Sequence, residues 1–287
     1  MKVSDLYIVL GPTAVGKSDW GVEFAESLSC PIINCDSRQI YKEMRIGTAV
    51  PSDELLSRVR HYMIGTHSVT EPYTAGKYEL EANALVESLF REYDSLVMIG
   101  GSGFYIDAFC NGLDDFPPAD QELRRQLSQR LAVEGVAALR NELKLLDPES
   151  YNTIDVANGQ RVVRALEVCL MTGRPFSSFK TSPLKKRPFN IHKIGLSRER
   201  QALYDRIDRR VLGMVAGGLV EEVRSLLPYR EYPALKTVGY REIFDYLDGA
   251  VTLERAVELI QRNTRHYAKR QMSYWRRDKS IEWRILE

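Results

Sequence analysis

The sequence predicts an α/β fold: a P-loop NTPase-like parallel sheet core flanked by helices, with an inserted all-helical subdomain. Three observations carry that expectation. Short apolar runs alternate with helical stretches through the first third of the 287 residues. A complete phosphate-loop motif joins the first run to the first helix. Strand-like runs then stop near Pro117 and return at Ile191.

The elements follow in order. Leu6–Leu10, Pro31–Asn34, His61–Gly65 and Leu96–Ile99 are short and rich in Ile, Val, Leu or Met, as strands covered on both faces are. Between them, Trp20, Phe24 and Leu28 share one helical face, and Ala82, Leu85, Val86, Leu89, Phe90 and Tyr93 share another. Strands separated by helices make parallel βαβ units. After Asp115-Phe-Pro-Pro118 the periodicity is helical only: Leu123, Leu127 and Leu131, then Leu139, Leu143 and Leu146. A third helix carries Val162, Val163, Leu166, Cys169 and Leu170, and Gly173 with Pro175 stops it. A Pro- and Lys-rich link, Ser182–Pro188, precedes one more strand at Ile191–Leu196, and the remainder from Ser197 reads as mainly helical. The expected division is a core of residues 1–117 and 188–287 and an insert of residues 118–187.

Composition bounds the function. Apolar residues at 44% fill a core, and 40 Lys and Arg against 39 Asp and Glu give no global signature of nucleic-acid binding. Any such surface must come from local clustering. Cys30, Cys35, Cys110 and Cys169 form no CxxC pair, and no His stands at ligand spacing, which argues against a structural zinc. The N-terminal run lacks the features of a signal peptide, and no apolar run reaches membrane-span length. A cytoplasmic, monomeric enzyme without a membrane partner is the expectation.

Gly11-Pro12-Thr13-Ala14-Val15-Gly16-Lys17-Ser18 matches G-x-x-x-x-G-K-[ST] in full, after a strand and opening a helix. Inward backbone N–H groups and the helix N-terminus favour a diphosphate. Lys17 adds a full charge, and the Ser18 hydroxyl is placed to ligate Mg²⁺. The motif specifies phosphate without saying which compound carries it.

The second strand ends at Asp36, outside the carboxyl edge of the sheet where ligands of doubly wound folds gather. Three roles fit Asp36: a metal-holding aspartate, a base accepting a proton from a second substrate, or a turn cap. The fourth strand runs into Gly100-Gly-Ser-Gly-Phe-Tyr105 with no carboxylate behind it, unlike an ordinary NTPase. Ser102 in that turn offers a hydroxyl to a phosphate, although glycine turns are usually only turns.

At this point the residues resemble a known family, the tRNA dimethylallyltransferases, whose pattern runs GPTAxGKS, DSxQxY and GGTGxY. Here these are Gly11–Ser18, Asp36-Ser-Arg-Gln-Ile-Tyr41 and Gly100–Tyr105. Further blocks follow in order: Gln160–Glu167 with Thr172-Gly173, Tyr204–Arg210, Val238-Gly-Tyr240 with Glu242, and Thr264–Gln271. They span nearly the whole chain. Two positions depart: Ser102 stands where the family has Thr, and Ser273-Tyr-Trp275 where it tends to Thr-Trp-Phe.

The resemblance implies that the P-loop holds the diphosphate of dimethylallyl diphosphate with Mg²⁺, Thr13 lining the pocket and Arg210 adding charge near the leaving group. It implies that Asp36 recognises the N6 amino group of adenine and accepts its proton, and that Ser102 contacts diphosphate or the target nucleotide. It implies tRNA contacts by Asp36, Ser37, Arg38, Gln39, Ser102 and Arg124, and by Gln160, Arg161, Val162, Val163 and Arg164 of the insert, gripping the anticodon stem-loop at adenine 37. From the residues themselves, Arg262–Arg277 interleaves Lys269, Arg270 and other cations with Tyr267, Tyr274 and Trp275, a pattern suited to phosphates and unpaired bases. A small-molecule P-loop kinase, a prenyltransferase of free AMP or ADP, and an RNA-binding protein with a vestigial P-loop are the competing readings. The insert and the basic C-terminal stretch favour polymeric RNA over a mononucleotide.

Overall fold

The computed structural model describes residues 3–180 and 185–287. Residues 182–184 of the expected Pro- and Lys-rich link lie outside that range. The chain forms two compact units, residues 1–111 with 186–287, and residues 112–185.

In the first unit, the elements in chain order are β1 (Asp5–Leu10), α1 (Lys17–Ser27), β2 (Ile32–Asn34), α2 (Asp53–Arg58), β3 (His61–Tyr62), α3 (Ala75–Leu89), β4 (Ser95–Gly100) and α4 (Gly103–Asn111). The second unit contributes α5 (Gln121–Leu146), α6 (Pro148–Thr153) and α7 (Gly159–Thr172). The chain then returns as β5 (Asn190–Arg198), α8 (Arg200–Ala216), α9 (Leu219–Ser225), α10 (Tyr240–Leu247), α11 (Leu253–Trp275) and β6 (Ile281–Leu286).

The sheet is ordered β3-β2-β4-β1-β5-β6, with every pairing parallel. β1 runs in register with β4 from Asp5 opposite Ser95 to Leu10 opposite Gly100, and with β5 from Asn190 to Gly195. Leu6, Ile8, Val9 and Leu10 are fully buried, so both faces of this central strand are covered and it carries no polar alternation. Parallel strands place their carboxyl ends together. The segments after β1, β2 and β4 therefore converge on one edge, the usual place for a ligand in an open α/β sheet.

Three expectations need correction. The run His61–Gly65 keeps only His61 and Tyr62 in the sheet, because Met63 and Gly65 take positive φ and turn the chain away. The C-terminal part is not helical to its end: Ile281–Leu286 adds a sixth strand at the sheet edge. Its alternation of Ile281, Trp283 and Ile285 with Glu282 and Arg284 is short, and all but one end are poorly buried. On α1 the buried face is Gly21, Val22 and Ala25, while Trp20 and Phe24 stack on each other at its half-buried rim.

In the second unit Leu127, Leu139, Leu143, Val162, Val163, Leu166 and Cys169 form a separate core. Leu146 and Leu170, expected on that face, are 42% and 44% exposed. α5 bends at Gly135, where the backbone leaves the helical region, so the leucine periods before and after it belong to two helical segments. Beneath them the carboxylate of Glu167, with no exposed side-chain surface, accepts from Arg124 at 2.6 Å and from the Asp120 amide at 3.0 Å, and pairs with Arg164 at 3.1 Å.

Candidate active site

The P-loop begins where β1 ends. Gly11 has φ +145°, and a Cβ there would run into the backbone oxygen of Leu196 on β5, so the loop can leave the sheet this tightly only with glycine. Ala14, a residue with a Cβ, is held at φ +64°, a conformation that needs support from its surroundings. Arg206 of α8 supplies part of it, donating from Nε to the Ala14 carbonyl at 3.0 Å.

Lys17 Nζ donates to the carbonyls of Gly11 at 2.9 Å and Pro12 at 2.8 Å, folding its ammonium across the mouth of the loop. Burial lowers the Lys17 pKa to about 8; the nearby Asp36 raises it and Arg210 lowers it further. Arg210 Nη2 donates to Thr13 Oγ1 at 2.6 Å. Burial brings even this guanidinium down to about 10, against the pull of Asp36. Its buried Nε has no hydrogen-bond partner among the described residues. Two desolvated cations lining one space form a site that an anion would complete.

Lys17, Ser18, Asp36, Arg206 and Arg210 line one cavity of about 290 Å³. Ala49, Pro51, Leu55 and Ile99 line the same cavity. Asp36 Oδ1 accepts from the amides of Arg38 at 2.8 Å and Gln39 at 3.3 Å, so the aspartate does cap its own turn. The same two bonds fix its carboxylate at the cavity wall.

Ser102 is 9% exposed, and its Oγ accepts from the Ser37 amide at 2.9 Å. It ties the glycine turn after β4 to the turn after β2. A neighbouring cavity of about 270 Å³ opens beside it, lined by Ser37, Phe104, Tyr105, Tyr267, Arg270 and Tyr274 among others. Tyr267 lines both cavities, and burial together with Asp36 pushes its hydroxyl well above the ordinary tyrosine range.

Gln271 is the residue that the sequence singled out least for its importance. Its Oε1 accepts from the Thr13 amide at 2.8 Å and its Nε2 donates to the Gly101 carbonyl at 2.9 Å, bridging the P-loop to the glycine turn. Arg206 was likewise unmarked. Both sit in quoted blocks, but α8 and α11 are remote from the loop in sequence, and nothing local signals where they point.

The expected RNA contacts divide. Lys269 and Arg270 are exposed, with Arg270 against the Tyr267 ring at 5.8 Å. Arg265, another cation of this stretch, instead pairs with Asp208. In the insert, Gln160 and Arg161 are exposed. Val162 and Val163 are 0% and 1% exposed; their side chains are core packing and have no surface to offer RNA. Arg124 and Arg164 are both engaged by buried Glu167, and Arg164 also donates to the Pro117 carbonyl at 3.0 Å. Half-buried Gln39 is engaged within the protein, its Nε2 donating to the carbonyls of Thr48 and Ala49, each at 3.0 Å.

No helix among the described residues is long and apolar enough to cross a membrane. No group of three or more His, Cys, Asp or Glu among them could hold a metal by itself.

The chain is similar to known proteins over nearly its full length. A protein named tRNA dimethylallyltransferase 2 from Porphyromonas gingivalis is 51% identical over 278 residues, 97% of this chain and 93% of that one. A tRNA dimethylallyltransferase 1 from Bacteroides thetaiotaomicron is 47% identical, covering 97% and 90%. The crystal structure of the full-length tRNA isopentenylpyrophosphate transferase from Bacillus halodurans superposes with a TM-score of 0.72 at 35% identity, covering 98% of this chain and 90% of that chain. A eukaryotic dimethylallyltransferase acting on tRNA shares the fold, with a TM-score of 0.80 at 24% identity and covering 74% of that chain. The profile of the IPP transferase family matches residues 39–278, and the chain belongs to that family.

Proposed function

We propose that this chain transfers the dimethylallyl group of dimethylallyl diphosphate to N6 of an unpaired adenine in tRNA, adenine 37 beside the anticodon, releasing diphosphate. The observation that carries this reading is the shared cavity: a phosphate loop, two desolvated cations and a carboxylate line one space of about 290 Å³.

In this mechanism the diphosphate lies against Lys17, Arg210 and the P-loop from Gly11 to Ser18. The C1–O bond of the allylic diphosphate breaks as the N6–C1 bond forms, and the electron pair leaves with the diphosphate. Charge building on the leaving group meets Lys17 and Arg210, preorganised and partly stripped of water. Asp36 accepts the proton from N6, and its negative charge stabilises the carbocation-like allylic fragment. An adenine in a loop can be turned out of its stack at small cost, and Ser37 and Ser102 stand where it would enter.

Mg²⁺ fits this donor set. The Ser18 hydroxyl is a hard oxygen donor lining the cavity, and Mg²⁺ commonly takes one or two protein ligands with substrate phosphates supplying the rest. When bound it would neutralise diphosphate charge.

In the first unit, exposed Lys269 and Arg270 with half-buried Arg38 contribute a surface for the anticodon stem-loop, and in the second unit exposed Gln160 and Arg161 are available for tRNA contacts of their own. The enzyme works as a cytoplasmic monomer. Incubation of labelled dimethylallyl diphosphate, Mg²⁺ and undermodified tRNA without ATP tests the reading. Label in tRNA and none in AMP is expected. Label in AMP alone, or a requirement for a nucleoside triphosphate, overturns it.

A further inference from the structure

The segment that gives Thr48 and Ala49 to the cavity lining lies outside any helix or strand. Arg45–Val50 is a turn between two short elements, and Ala49 sits at φ +51° despite its Cβ. Such a conformation persists only where neighbours enforce it. The turn's own bonds, from the Ala49 amide to the Ile46 carbonyl and from the Val50 amide to the Arg45 carbonyl at 3.0 Å each, hold that residue. A group remote in sequence holds the start of the turn: Glu222 on α9 accepts from the amides of Arg45 at 2.9 Å, Ile46 at 2.7 Å and Gly47 at 2.9 Å. Its fourth donor is the hydroxyl of Tyr240, at 2.7 Å. Three consecutive amides around one carboxylate make an anion nest in which the anion belongs to the protein itself.

Tyr240 completes the clamp from the other side. It is fully buried, and a Cβ on Gly47 would approach its ring to 2.6 Å, so ring and glycine pack face against backbone. This accounts for the Val238-Gly-Tyr240 block, which the transfer chemistry leaves unused. Glu242 of the same block accepts from the Gly239 amide at 2.8 Å and from Asn263 at 2.7 Å, anchoring the start of α10 to α11. Gln39 grips the far end of the segment through the Thr48 and Ala49 carbonyls.

We propose that Glu222 and Tyr240 are positioning residues that lock Arg45–Val50 as the wall of the prenyl pocket, and that this wall sets the length of prenyl chain accepted. The proposal rests on the P-loop cavity being the prenyl diphosphate site. With diphosphate at Lys17 and the reacting carbon directed at Asp36, the hydrocarbon tail meets Thr48, Ala49, Pro51 and Leu55. A wall held by three amide bonds to a carboxylate that Tyr240 braces excludes a longer tail; a loosened one admits it. Glutamine at position 222 keeps the shape but leaves one accepting oxygen and turns an NH₂ toward backbone donors.

Steady-state transfer to tRNA from dimethylallyl and from geranyl diphosphate tests this in the parent, Glu222→Gln, Tyr240→Phe, Leu55→Ala and Lys17→Ala. Glu222→Gln should raise the geranyl-to-dimethylallyl ratio of kcat/KM roughly tenfold, the scale on which a hydrophobic pocket discriminates. KM for dimethylallyl diphosphate should rise while KM for tRNA stays as in the parent. Tyr240→Phe, missing one donor of four, should shift the ratio in the same direction by less. Leu55→Ala, which enlarges the wall directly, should also favour the longer substrate. Parent-like ratios in folded Glu222→Gln and Tyr240→Phe overturn the proposal. If Glu222→Gln does not fold, parent-like ratios in Tyr240→Phe and Leu55→Ala do so. Lys17→Ala separates the two levels: normal saturation by dimethylallyl diphosphate there removes the P-loop reading itself. Lost saturation beside flat results at Glu222 and Tyr240 sinks the clamp alone.

Discussion

Lys17 carries a pH dependence that can be worked out with its sign. In the free site burial holds its pKa near 8, so it is protonated below that value and progressively neutral above it. A bound diphosphate favours the charged form and raises the pKa. Between about 8 and the raised value, binding must therefore take up a proton, and affinity falls by up to about tenfold per pH unit. Titration of dimethylallyl diphosphate from pH 7 to 10 should show a flat region and then this loss, and Lys17→Arg should abolish the bend. Stability runs the opposite way. The unfolded chain binds more protons at this lysine between about 8 and 10.5, so its contribution rises with pH across that window. A parent-minus-Lys17→Met difference in thermal midpoint that falls with pH there would contradict the burial. At Asp36, replacement by Asn keeps an acceptor for the Arg38 amide but removes the base. Turnover should drop by about 10²–10⁴-fold, with tRNA affinity little changed; parent-like turnover would remove Asp36 from the mechanism.

The elements were legible where their signal is local. β1, the P-loop and α1 stand in the sequence as an apolar run, a spaced glycine pair and a helical stretch, and β2 with Asp36 follows the same logic. β6 was not legible, because an exposed edge strand of six residues buries too little to impose an apolar pattern. Gln271, Arg206 and Glu222 were hidden for another reason: each acts on a loop more than a hundred residues away, and only the packing of α8, α9 and α11 brings them there. In the insert, spacing placed Val162 and Val163 beside Arg161 and Arg164, and the helix turned the valines inward. α5 and α7 are joined instead by Glu167, whose buried carboxylate depends on Arg124 and Arg164. Arg124→Met should cost about 2 kcal/mol, because a charge-assisted hydrogen bond to a buried group is lost. Thermal denaturation checks this, and an unchanged midpoint would show that Arg124 is free to serve another partner.

At the scale of the whole molecule, net charge of +1 cannot by itself draw the chain to RNA, so attraction must come from how the charges are distributed. Many cations are already committed: Arg58 to Glu26, Arg187 to Glu79, Arg230 to Asp248 and Arg265 to Asp208. Lys269 and Arg270 lie exposed on the last turns of α11, and Arg270 borders the cavity that contains Ser37 and Ser102. If these two side chains meet backbone phosphates, each contact releases counterions on binding. The slope of log affinity against log salt should then shrink by about 0.7–0.9 per contact removed. Lys269→Ala with Arg270→Ala should therefore weaken tRNA binding most at low salt and flatten the slope by about 1.5. KM for dimethylallyl diphosphate should stay as in the parent, since Lys17 and Arg210 hold that charge separately. A double variant with a weakened constant but the parent slope would mean that α11 shapes the pocket without touching phosphate. An unaltered constant would move the RNA surface away from α11 altogether.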